Sequence, residues 1–76
     1  MSAARLVTEA NQIASFFRYQ IGEGEAAVAD HLRSFWSPAM RRAMYALIDQ
    51  GDEGLDPLAK QGILRLRAVD PAAREK

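Results

Sequence analysis

The sequence predicts an all-α fold, a compact bundle of four short helices, and three observations carry that prediction. Apolar residues recur at helical spacing in each long segment. Two dipeptides, Ser37-Pro38 and Asp56-Pro57, pair a capping side chain with a proline suited to the first helical position. Glycines at 22, 24 and 51 supply the permissive backbone that helix ends and turns require.

Taken in order, residues 3 to about 21 form the longest periodic segment. At about 100° per residue, Leu6, Val7, Ala10, Ile13, Ala14, Phe17 and Ile21 share one broad face. Phe16 falls off the edge of that stripe beside Glu9 and Gln20, and Tyr19 falls on the polar side with Gln12. The general tendency of large rings to be buried makes Phe16 an extension of the core contact. The competing reading is that Phe16 and Tyr19 dock a partner.

Gly22-Glu23-Gly24 breaks the first helix, and Glu23 and Glu25 place negative charge where the next helix begins. From Glu25 to Trp36 the apolar side holds Val28, Ala29, Leu32, Phe35 and Trp36, opposite Asp30, Arg33 and Ser34. His31 lies at the margin, next to Phe35. Such a lone histidine reads first as a partly buried structural residue and second as a contact or switch.

Proline disfavours the α conformation in the residue before it, so Ser37 is expected to be extended and to separate two helices. Phe35 and Trp36 then stand at a corner, where large aromatics can set the angle between neighbouring helices. The third helix, Pro38 to about Gln50, is expected to bury Met40, Ala43, Met44, Leu47 and Ile48 and to stop at Gly51. Its outer face is read as Arg41, Arg42, Tyr45 and Asp49. That face is a candidate recognition surface, because interfaces favour Arg and Tyr, against the default of a solvated charged face.

Asp52-Glu53-Gly54 forms the next loop, and Asp56-Pro57 opens a last helix running to about Ala68. Leu55, Leu58, Ala59, Gly62, Ile63 and Leu66 share its inner face; Leu64 stands among polar positions. Gly62 inside a helix costs about 1 kcal/mol relative to Ala, so a close helix approach is expected there. The chain reads as a single domain over 1–76, with an ordered core at about 3–68 and a polar tail over 69–76 expected to fray.

Composition bounds the function. A 76-residue chain buries only about 60% of its unfolded surface, and 49% hydrophobic residues argue against disorder. Without cysteine there is no disulfide framework and no thiolate-held zinc or iron–sulfur cluster, and a single histidine makes no metal site alone. A net charge of zero lacks the footprint of a nucleic-acid binder. No run of about 18 apolar residues exists, and M-S-A-A-R-L-V-T-E turns acidic too early for a signal peptide, so a cytoplasmic, bacterial-type setting is expected.

The catalytic inventory is poor. Asp52, Glu53 and Asp56 are explained by solvation and capping, and G-E-G is followed by no phosphate-loop pattern. Ser37 lies in W-S-P rather than the D-S-L context of a phosphopantetheine site. A helix-turn-helix would have only Arg41 and Arg42 to offer phosphates on its third helix. Neither catalytic, cofactor-binding nor metal-binding residues are assigned.

Read together, A-N-Q-I at Ala10 to Ile13, F-F at Phe16 and Phe17, A-D-H-L at Ala29 to Leu32, F-W-x-P-x-M-R at Phe35 to Arg41 and G-L-D-P-L at Gly54 to Leu58 resemble the small delta subunit of NAD-dependent formate dehydrogenases. The resemblance runs from about Leu6 to Leu66. The family often carries Asp where Ser37 stands and Arg where Ala39 stands; Ser preserves the cap, whereas Ala39 removes one partner contact.

The resemblance implies a non-catalytic component of a cytoplasmic complex that oxidises formate and passes the electrons to NAD. Partner subunits would hold the molybdenum or tungsten pterin, the iron–sulfur clusters and the FMN. This chain would bind the large catalytic subunit and support assembly, cofactor retention or stability. The expected interface comprises Phe16, His31, Phe35, Trp36, Arg41 and Tyr45, and substituting Arg41 or Tyr45 by Ala is expected to weaken assembly with little loss of helix. A free-standing helical adaptor or homodimer, and a small DNA-binding regulator, are the other readings of the same pattern.

Overall fold

The computed structural model describes residues 2–19, 23–51 and 54–74. Four helices follow in order: α1 Ala3–Phe17, α2 Gly24–Phe35, α3 Pro38–Gln50 and α4 Pro57–Arg67, with a closing 3-10 turn at Pro71–Arg74. No strand occurs among the described residues, and the all-α expectation holds.

The starts of α3 and α4 are set by local devices legible in the sequence. Ser37 is extended (φ −66°, ψ 158°) and its hydroxyl accepts from the Met40 N–H at 3.2 Å, with Pro38 following. Asp56 does the same for α4, accepting from the Leu58 N–H at 2.9 Å. Gly51 ends α3 in a left-handed conformation (φ 100°), which an L side chain would strain. Ser2, which the sequence reading did not single out, caps α1 through the Arg5 N–H. Helix α1 stops at Phe17, four residues short of the expected end; Ile21, Gly22, Asp52 and Glu53 lie outside the described residues.

The core joins Leu6, Ala10 and Ala14 of α1, Val28, Ala29 and Leu32 of α2, Met44 of α3, and Ala59, Ile63 and Leu66 of α4. Helices α2 and α4 make the tightest pairing. A Cβ placed on Gly62 would fall 2.5 Å from Val28 Cγ1 and 2.6 Å from Val28 Cβ, so the close approach inferred from that glycine is present. Helix α1 is tied to the α3–α4 loop by polar bonds: Asn11 Oδ1 accepts from the Asp56 N–H at 2.8 Å, and Asn11 Nδ2 donates to the Gly54 carbonyl at 3.2 Å. Arg18 pairs with the Asp56 carboxylate beyond the end of α1.

Past α4 the described residues reach Arg74, within the stretch expected to be a polar tail. Asp70 and Ala72 are buried (3% and 4% exposed), and the 3-10 turn packs against α3. No helix among the described residues is long and apolar enough to cross a membrane.

Candidate functional site

Four rings form a ladder across α1 and α2. Phe16 meets Phe17 edge to face with centroids 5.1 Å apart, Phe17 meets His31 at 6.0 Å, and His31 tilts against Phe35 at 4.6 Å. These separations fall within the range of attractive ring pairs. The inner members, Phe17 and His31, are half-buried, whereas the outer members stand in solvent, Phe16 at 77% and Phe35 at 73% exposed.

Neither outer ring is buried as expected, Phe16 on the general tendency of large rings and Phe35 on its place in the wheel. Phe16 does not widen the core contact, and Phe35 leaves the apolar side of α2 for the surface. The core position at that corner belongs to Trp36, 7% exposed, whose N–H still bonds the Leu32 carbonyl while its own extended backbone breaks the helix. A groove of about 420 Å³ runs beside the ladder, lined by Ile13, Phe16, Phe17, His31 and Trp36, with Glu9 and Gln12 on its polar wall. Exposed aromatics bordering a mainly apolar groove offer contact area, which is what a docking face requires.

Arg41 and Tyr45 are not on this face, nor on the surface as expected. Tyr45 is 4% exposed, and its hydroxyl donates to Asp70 Oδ2 at 2.7 Å. Arg41 Nε lies 3.3 Å from the same oxygen, too poorly aligned for a hydrogen bond, so its attraction is Coulombic. Asp70 Oδ1 accepts from the Ala72 N–H at 3.0 Å and thereby starts the closing turn. Burial, then the bond to Asp70, pushes the Tyr45 hydroxyl well above its ordinary pKa.

Arg67 lies over the Tyr45 ring at 5.5 Å and grips Asp49 with both terminal nitrogens, at 2.9 and 2.8 Å. That fork holds the Asp49 carboxyl below the usual carboxylate range. The face expected to be a recognition surface is therefore the seat of the C-terminal turn. The signal that marks it is Asp70-Pro71, a second acid–proline pair of the kind seen at Asp56-Pro57. Asn11, quoted in a motif without a role, is the other polar residue whose task appears only in three dimensions.

Among the described residues no group of three His, Cys, Asp or Glu is placed to hold a metal ion. Of the six residues expected at an interface, Phe16, His31, Phe35 and Trp36 are brought together, and Arg41 and Tyr45 are held apart from them.

The family model described as NADH-dependent formate dehydrogenase delta subunit, FdsD, matches residues 5–63. No curated protein and no solved structure matches the chain. The matched span contains the whole ring ladder and the Asn11 contacts, and stops short of Asp70.

Proposed function

The chain belongs to the NADH-dependent formate dehydrogenase delta subunit family, and on that premise we propose that it is a non-catalytic accessory subunit which docks its large catalytic subunit through the aromatic face of α1 and α2. The observation that carries the reading is the pair of exposed rings, Phe16 and Phe35, at the ends of a ladder whose middle is held by the fold. Isolated in water these rings remain wet; against a partner they would be covered, and aromatic anchors dominate binding energy.

On this reading the molybdenum or tungsten pterin, the iron–sulfur clusters and the FMN reside in the partner subunits, and the complex works in the cytoplasm. The small subunit supports assembly, cofactor retention or stability. Its Asp70 turn, outside the family match, keeps Arg41 and Tyr45 for the chain's own stability, so the docking face contracts to Phe16, His31, Phe35 and the groove over Trp36.

The test is to tag the chain in its native host, purify it gently, and identify its companions by native mass spectrometry while assaying formate-dependent NAD reduction. Recovery of a large metal- and flavin-containing complex with that activity is expected. Recovery of a homodimer alone, or of the chain with DNA, would overturn the reading.

A further inference from the structure

Glu9 gives the aromatic groove its electrostatic character. It is the one carboxylate among the lining residues, and none of the described residues lining the groove is Lys or Arg. Its present partner is Arg5, one turn earlier on α1, which reaches Oε1 at 3.3 Å. The Arg5 side chain is 75% exposed, so the pair is weak and easily displaced by a better-placed cation.

The same groove is lined by the rings of Phe16, Phe17 and Trp36. Ring faces attract cations, most strongly when water is excluded. A guanidinium suits both kinds of lining group, since it stacks on aromatic faces while its fork of N–H donors fits a carboxylate; a compact ammonium does only part of this. The apolar remainder of the lining, Ile13 included, favours aliphatic neighbours on the same segment.

We propose that the groove lined by Glu9 and the rings of Phe16 and Trp36 receives an arginine side chain presented by an otherwise apolar segment of the partner subunit. The proposal rests on the docking reading and adds the chemistry of what docks. Arg5 then acts as a placeholder, exchanging its carboxylate for solvent when the partner's guanidinium enters.

A capped Leu-Arg-Leu peptide, titrated into the full chain and followed by NMR, tests this directly. A Leu-citrulline-Leu peptide, which keeps the shape and loses the charge, is the control. Shifts confined to Phe16, Phe17, His31 and Trp36 are expected, with the arginine peptide binding about fivefold more tightly than its control. Glu9→Gln is expected to remove that difference without altering the fold. Equal binding of the two peptides, or shifts elsewhere, overturns the arginine. The docking face itself stands or falls separately, on whether Phe16 and Phe35 variants still recover the complex.

Discussion

The Tyr45 hydroxyl is the directional partner of Asp70 Oδ2, at 2.7 Å across 25 residues of chain, while Arg41 Nε at 3.3 Å is misaligned with the same oxygen. Tyr45→Phe therefore leaves a buried carboxylate oxygen without its only aligned donor among the described residues. A loss of about 1–3 kcal/mol in chemical denaturation is expected. Asp70→Ala is expected to cost more, about 3–5 kcal/mol, because it leaves the Arg41 charge buried without its counter-ion. Loss of under about 0.5 kcal/mol in either variant would mean that the turn contributes little to the fold.

The same pair sets an alkaline limit. Burial and the Asp70 bond raise the Tyr45 pKa above its ordinary 10.0. The unfolded chain then releases this proton at a lower pH than the folded chain, so the contribution is full below about pH 10 and falls as pH climbs beyond it. Measured stability of wild type and Tyr45→Phe should converge as pH passes that point. A constant gap would show that the hydroxyl titrates alike in both states.

At acid pH the relevant group is Asp56, held below the usual carboxylate range first by the Arg18 hydrogen bond and then by the Leu58 N–H. Its stabilising effect is present above the ordinary value of 3.8 and disappears as pH falls through the lowered one. Asn is as good a helix cap as Asp but carries no charge for Arg18. In Asp56→Asn the melting temperature should accordingly decline less steeply below about pH 4 than in wild type. Parallel acid limbs would remove Asp56 from the cause.

Gly62→Ala opposes two effects. Helix propensity favours Ala by about 1 kcal/mol. Against it, the new methyl would fall 2.5 Å from Val28 Cγ1 and 2.6 Å from Val28 Cβ, and a Cβ cannot swing away as a flexible side-chain end can. Overpacking of this kind costs about 1–3 kcal/mol, so net destabilisation is expected in thermal or urea unfolding. A more stable Gly62→Ala would mean that α2 and α4 separate readily.

Phe16→Ser and Phe35→Ser should separate folding from assembly. Both rings are mostly in water, so unfolding free energy should change by less than about 0.5 kcal/mol. Recovery of the formate dehydrogenase complex should fall sharply in the double variant. Normal recovery with an intact fold would move the docking face elsewhere.

The helices were legible because their starts are local events. Ser37-Pro38 and Asp56-Pro57 fix a backbone conformation within two residues, and the structure places α3 and α4 at those points. Asp70-Pro71 carries the same information but opens only a four-residue turn, too short for any apolar period to accompany it. Tyr45 was misplaced for a related reason: a wheel built on one stripe holds no second neighbour, and the neighbour that buries Tyr45 comes from 25 residues later. Phe35 shows the opposite error, and comparison with Val28 gives the reason. They lie nearly one above the other on α2, yet one is fully covered and the other 73% exposed, because coverage belongs to the packing of other elements and not to the helix itself. Four of the six expected interface residues nonetheless lie together, since they derive from two short segments of α1 and α2 that pack side by side.

The bonds of Asn11 have a further consequence for the order of events during synthesis. They bind α1 to atoms 43 and 45 residues further along, which leave the ribosome well after α1 itself. A nascent chain can pair α1 with α2 early, but its amide anchor waits until Gly54 and Asp56 emerge and α4 begins to coil behind them. Closing so long a loop is entropically slow and comes late. Throughout that interval α1 lacks its polar tie to Gly54 and Asp56, and any subunit or chaperone that meets the growing chain meets it without that anchor.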